Sequence, residues 1–162
     1  MKFLSISWDK MAAMCEKLSS KITSSGFAPD VIVGVSRGGL VPARLLSDVL
    51  GVRELFVTRI SFYTGVGKTA AAPRVVQPLT ERLDGKKVLL VDDVSDTGRS
   101  LLVAKEHLEH MGAKEVRVAT LHFKPHSQTR PDFFVDETEA WLVYPWERHE
   151  SAKELGKKPS EL

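Results

Sequence analysis

Four apolar residues running into two adjacent carboxylates constrain this chain more than any other feature: residues 88–100 read VLLVDDVSDTGRS. A continuous Val/Leu run reads as a strand buried on both faces, the pattern of a parallel sheet covered by helices. Asp92 and Asp93 come where that strand is expected to end. Open α/β sheets bind ligands at the carboxyl ends of their strands, and a carboxylate pair directly after a buried strand is costly unless something uses it. Asp96 follows, then Thr97, Gly98, Arg99 and Ser100 at the start of a predicted helix. Free backbone N–H groups and the positive end of the helix dipole favour a phosphate there. The competing local reading is a plain strand–turn–helix crossing capped by Asp96 or Thr97. A phosphate cradle beside carboxylates fits a sugar phosphate whose hydroxyls, or a bound Mg²⁺, meet the acidic side chains.

Around this segment strands and helices alternate. Ser7 is a good N-cap for a helix over residues 8–22, with Met11, Cys15, Leu18 and Ile22 as its apolar stripe. Residues 31–35 read as a strand broken by Gly38 and Gly39, followed by a helix to about Leu50 with Pro42 in its first turn. Residues 54–60 read as a strand, and residues 63–78, rich in Gly, Ala and Pro, as a mobile loop. A strand over 87–91, a helix over 97–111 stopped by Gly112, and a strand over 116–121 follow. Residues 132–135 and 141–144 read as short strands paired with each other, and the tail after Glu150 as frayed or helical. The expectation is one α/β domain over residues 1–162, with a doubly wound, mainly parallel sheet flanked by helices and a small C-terminal hood.

A second strand-to-turn step repeats the logic of the first. Residues 31–46, VIVGVSRGGLVPARLL, place Ser36, Arg37, Gly38 and Gly39 at a turn before a helix. Glycine lets backbone N–H groups approach an anion, and Arg37 adds a charged fork for phosphate oxygens. Further on, HFKP at 122–125 and WLVYPWE at 141–147 supply a strand-end Lys and aromatic rings that suit a heterocyclic base. Trp146 reads as core.

The net charge of +2 is too small to argue for nucleic acid or an anionic membrane. The lone Cys15 excludes a disulfide scaffold and fits a reducing compartment. The N-terminal stretch MKFLSISWDK has no signal-peptide core, so the expected location is cytoplasmic. His107 and His110 share a helix face without a third ligand, which argues against zinc.

Residues 88–100 resemble the 5-phosphoribosyl-1-diphosphate (PRPP) binding signature of the type I phosphoribosyltransferases, across the strand, the acidic pair and the acid–Thr–Gly–x–Ser loop. SRGGLVP at 36–42 is especially like the xanthine/guanine phosphoribosyltransferases. The resemblance implies the type I phosphoribosyltransferase fold and a purine salvage reaction. A 6-oxopurine (xanthine, guanine or hypoxanthine) and PRPP would give the nucleoside monophosphate and pyrophosphate, with Mg²⁺ as cofactor. On this reading Asp92 and Asp93 hold the ribose hydroxyls directly or through the metal. Thr97, Gly98, Arg99 and Ser100, with Asp96, surround the 5′-phosphate. Ser36, Arg37 and Gly38 grip the pyrophosphate at a turn that in the family often holds a cis peptide, here Ser36–Arg37. Lys68 and Arg74, in the 63–78 loop, are candidates to reach the same pyrophosphate. Lys124 faces the base's 6-oxo group, Trp141 stacks on the ring, the Leu142 backbone reads its 2-position, and Glu147 completes a Pro–Trp–acid step. Asp96 lies at the imidazole edge and handles its proton. The family expectation is a homodimer. A transferase for adenine, orotate or uracil remains an alternative, as does a non-catalytic PRPP- or nucleotide-sensing regulator on the same fold.

Overall fold

The computed structural model describes residues 2–63 and 71–162. In chain order the elements are β1 (Phe3–Ser5), α1 (Trp8–Ser24), β2 (Val31–Ser36), α2 (Leu40–Val49), β3 (Leu55–Tyr63) and β4 (Ala72–Gln77). They continue with β5 (Lys87–Ser95), α3 (Arg99–His110), β6 (Glu115–Phe123), β7 (Phe133–Glu137), β8 (Trp141–Val143) and α4 (Arg148–Glu154).

The apolar runs are buried on both faces because alternate side chains feed two separate cores. Ile32 of β2 and Leu89 and Val91 of β5 pack under α1 and α2, with Met11, Leu18, Ile22 and Leu46. Val31, Val33 and Val35 of β2 and Val88 and Leu90 of β5 face the other way, onto Leu101, Ala104 and Leu108 of α3. The six-stranded sheet has the order β4-β3-β2-β5-β6-β7. Its pairs are parallel except β3 with β4. Helices on both faces of a mainly parallel sheet make the expected doubly wound fold. Chain connectivity reverses between β2 and β5, the position at which such sheets open a crevice. Ser7 caps α1 by accepting from the Lys10 N–H at 3.1 Å, as its place in the sequence predicts. Cys15 is buried on that helix, and burial pushes its thiol up to about 12, so it stays protonated.

Four sequence expectations are corrected. The mobile loop assigned to residues 63–78 contains β4, antiparallel to β3; residues 64–70 of that loop lie outside the described residues. β4 is a half-buried edge strand, where Pro73 is tolerated because one side of the ladder is unpaired. The two short aromatic strands do not pair with each other. β7 joins β6, while β8 pairs with β1, a strand the sequence reading did not assign. The hood is therefore built from both ends of the chain. β5 does not stop before the carboxylates but runs through Asp92 and Asp93 to Ser95, with Asp92 in register with Thr120 of β6. Finally, α3 begins at Arg99 and not at Thr97.

The junction of β2 with α2 tolerates no side chain at Gly39. A methyl group there would overlap the Val91 carbonyl of β5 and the Val35 backbone of β2. The Gly39 N–H bonds the Val35 carbonyl at 2.8 Å. We expect Gly39→Ala to cost about 1–3 kcal/mol, the usual scale of core overpacking. That corresponds to a fall in Tm of roughly 2–12 °C. An unchanged melting curve would show that the strands give way freely.

Candidate active site

Both turns singled out in the sequence converge on the crevice between the C-terminal ends of β2 and β5. Three adjoining cavities of about 280, 470 and 330 Å³ share lining residues there. The first is lined by Asp92, Asp96, Thr97, Gly98, Arg99 and Ser100. The second holds Ser36, Arg37, Gly38, Asp92, Asp93 and Ser100. The third holds Asp96, Lys124, Trp141, Leu142 and Glu147.

At the first cavity the backbone does the positioning. Gly98 takes φ 77° and precedes α3 as its N-cap, with no side-chain cap bond. Asp96 is thus not a helix cap, and Thr97 Oγ1 reaches only the Arg99 N–H, at 3.4 Å. The turn of small residues presents free N–H groups at the positive end of a 12-residue helix, which is an anion site in physical terms. The Arg99 guanidinium donates to the Ala71 carbonyl at 2.7 Å and lies over the ring of Phe62, which lines the same cavity.

At the second cavity the Ser36–Arg37 peptide is cis. Gly38 lies against the Asp93 carboxylate so closely that a Cβ would overlap it. Arg37 Nη2 alone donates to both oxygens of Glu150, at 2.9 and 3.0 Å, and the side chains are 75% and 56% exposed. Such a pair is worth about 0–1 kcal/mol, so a polyanion in the crevice competes with Glu150 for the guanidinium.

Asp92 and Asp93 face the crevice without a cationic partner among the described residues. Burial, then the charge of Asp93, pushes the Asp92 carboxyl well above the usual carboxylate range. Burial, then the charge of Glu147, pushes Asp93 up to about 7. The buried Trp146 N–H makes no well-aligned hydrogen bond, yet lies near enough to Asp93 to oppose that rise. Two hard oxygen donors without a counter-cation suit Mg²⁺. Among the described residues no group of three or more His, Cys, Asp or Glu is placed to hold a metal ion by itself. The pair would then leave the remaining positions to substrate oxygens and water, which is how Mg²⁺ is usually held.

At the third cavity Lys124 is buried, and its Nζ donates to the Ala140 carbonyl, leaving further donors for the cavity. Trp141 is 41% exposed, with a ring surface open to a ligand. Trp146, assigned to the core from sequence, stacks on Tyr144 at 4.8 Å and is only partly buried. Glu147 Oε1 accepts from the Tyr144 N–H at 3.1 Å.

Two candidates are not brought in. Arg74 is exposed on β4 opposite Ser61 and lines none of the three cavities, because the segment is a strand and not a loop free to fold inward. Lys68 lies outside the described residues. The structure also adds residues that carried no sequence signal. His126 Nε2 meets Asp96 Oδ1 at 3.0 Å. Tyr144, fully buried, donates its hydroxyl to the Asp93 carbonyl at 2.9 Å. His122 Nδ1 lies 2.7 Å from the same hydroxyl. The phenol has one hydrogen, so Nδ1–H of His122 is the donor to it. His107, read from sequence as no zinc ligand, accepts the Leu79 N–H at Nε2, at 3.2 Å.

A carboxylate pair and an anion-binding turn at the switch point of a doubly wound sheet mark the class of α/β proteins built to hold a phosphorylated ligand. The comparisons narrow that class. The family model of the phosphoribosyl transferase domain matches residues 7–149. A protein from Gluconobacter oxydans named xanthine-guanine phosphoribosyltransferase is 28% identical over 147 residues, 90% of this chain and 84% of that one. One of the same name from Idiomarina loihiensis is 32% identical over 120 residues, 73% and 71% of the two chains. The crystal structure of a purine phosphoribosyltransferase from Pyrococcus horikoshii superposes with a TM-score of 0.82 at 40% identity, covering 90% of this chain and 94% of that one. The chain belongs to the phosphoribosyltransferase family.

The His122–Tyr144 link yields a pH test. Burial pulls His122 from 6.5 down to about 4. Between those values the unfolded chain holds a proton that the folded chain refuses, so this contribution to stability is complete above pH 6.5 and lost as pH falls toward 4. The raised carboxyls of Asp92 and Asp93 slope the opposite way, so the diagnostic is a difference. The Tm of wild type minus that of His122→Asn is expected to grow from pH 4 to 6.5 and then level off. Parallel Tm–pH curves would show that His122 does not titrate out of its folded range.

Proposed function

We propose that this phosphoribosyltransferase transfers the 5-phosphoribosyl group of PRPP to a 6-oxopurine, releasing pyrophosphate and the nucleoside 5′-monophosphate. The observation that carries the reading is the third cavity. A buried amine at Lys124, an open indole face at Trp141 and the Asp96 carboxylate line one space of about 330 Å³ beside the phosphate turn. Lys124 offers only donors, which suits an oxo group and not an exocyclic amine. Stacking on a Trp is worth about 1–3 kcal/mol per base. The Leu142 backbone is the candidate reader of the 2-position.

In the mechanism, the N–H groups of the 97–100 turn hold the 5′-phosphate, and Asp92 and Asp93 hold the ribose hydroxyls. The turn at Ser36–Gly38 holds the pyrophosphate, with Arg37 transferring from Glu150 to it. As the bond from C1′ to the pyrophosphate oxygen lengthens, positive charge grows at the ribosyl centre and negative charge on the leaving group. Donors already aimed at the leaving group stabilise it without reorganisation. A purine ring nitrogen then forms the bond to C1′, and Asp96 accepts the proton that nitrogen sheds. Mg²⁺, held by Asp92 and Asp93, would supply charge neutralisation for the pyrophosphate oxygens. A homodimer and a cytoplasmic location belong to the same reading, the latter supported by the free thiol of Cys15.

The test is a panel of free bases with PRPP and Mg²⁺, followed by pyrophosphate release. Turnover of xanthine, guanine or hypoxanthine, abolished by chelator and restored by Mg²⁺, is expected. Preference for adenine, or full activity in excess chelator, would refute it. Lys124→Ala is expected to lower kcat/KM for the base by about 10–100-fold, the scale of a charge-assisted hydrogen bond. The KM for PRPP should stay within about twofold by the same separation of contacts. An unaffected variant would remove Lys124 from base recognition.

A further inference from the structure

We infer that His126 is a positioning residue for the reaction: its Nε2–H holds one oxygen of the Asp96 carboxylate and orients the other for the base proton. This rests on the proposed role of Asp96 at the base.

The geometry has three parts. First, Asp96 has no helix-capping duty, since Gly98 is the N-cap and makes no side-chain bond. Its one hydrogen bond among the described residues is the 3.0 Å contact from His126 Nε2 to Oδ1. Second, the loop that carries His126 is fixed on both sides to the turn that carries Asp96. The Lys124 N–H bonds the Ser95 carbonyl at 3.0 Å, and the Gln128 N–H bonds the Thr97 carbonyl at 3.0 Å. Ser127 Oγ meets Ser95 Oγ at 2.8 Å, and Thr129 Oγ1 donates to the Gly98 carbonyl at 2.9 Å. A side chain at Gly98 would overlap Ser127 and Thr129, so the two loops close on each other without slack. Third, the pair itself is 59% and 63% exposed, so it adds little to folding stability. A well-framed contact that stabilises the fold so little is better accounted for by what it does to the carboxylate.

The consequence is a division of labour within one short loop. Lys124 addresses the base, and His126, two residues later, addresses the group that takes the base's proton. A carboxylate without this partner swings about two torsions, and misplacement of a reacting group by about 1 Å costs on the order of 10²-fold in rate.

The experiment compares His126→Ala, His126→Gln and His126→Asn, with Asp96→Asn in parallel, for kcat, KM and Tm. The amide nitrogen of Gln reaches the position of Nε2, whereas that of Asn reaches only Nδ1. We expect the Ala variant to lose about 10-fold or more in kcat, with KM for PRPP within about twofold and Tm within about 2 °C. Gln should restore most of kcat and Asn should not. A His126→Ala variant with wild-type kcat would overturn the inference while an inactive Asp96→Asn left the role of Asp96 standing. So would equal rescue by Asn and Gln, or a loss of kcat that tracks a loss of Tm. Wild-type turnover by Asp96→Asn would instead remove the role of Asp96 and the inference with it. Absence of purine turnover in the wild-type enzyme would overturn both.

Discussion

The pairing of β2 with β5 is the constraint on which the rest of the molecule depends. These strands are parallel neighbours, yet one feeds α2 on one face and the other feeds α3 on the opposite face. Their C-terminal ends therefore diverge into a crevice that neither helix covers. Gly39 packs between the two strands, against Val35 and Val91, and so ties the start of α2 to β5. Both turns of the candidate site hang from these two strand ends, and the loop that follows β6 is stitched to the second of them.

Placing Asp92 and Asp93 within a largely buried strand sets up an electrostatic conflict. Burial raises both carboxyls, and the nearest polar groups are backbone N–H donors, which offset only part of the cost. The conflict persists because β5 is fixed by its apolar residues on both faces and by β6 along its length. The rigid core thus holds a pair of carboxylates in a state that a divalent cation or a set of hydroxyls relieves. The Tyr144 hydroxyl on the Asp93 carbonyl, backed by His122, fastens the hood to the same strand. The third cavity and the carboxylate pair therefore share one scaffold, and neither shifts without disturbing the other.

Much of this was legible from the sequence where the signal is local. The Val/Leu runs of β2 and β5, the Ser7 cap of α1, and the two glycine-bearing turns follow from periodicity and backbone sterics, which neighbouring residues decide. Lys124, Trp141, Leu142 and Glu147 were drawn together by resemblance, and they do line one cavity. β4 was missed because an edge strand with Pro73 and a half-exposed pattern lacks the alternation that marks a strand. Arg74 lies on that strand and lines none of the three cavities.

What the sequence alone determined is the sheet's character and the chemistry available at its strand ends: apolar runs too long to be half-exposed, carboxylates after one, glycines after another. What only the tertiary structure decided is who meets whom across long stretches of chain. β1 pairs with β8 across almost the full length of the chain. His126 meets Asp96, Glu150 meets Arg37, and Tyr144 meets the Asp93 carbonyl. None of these contacts has a local signature, because each is set by how the loops close once the two cores have packed. A side chain's partner at that distance is a property of the assembled sheet and not of its neighbours in sequence.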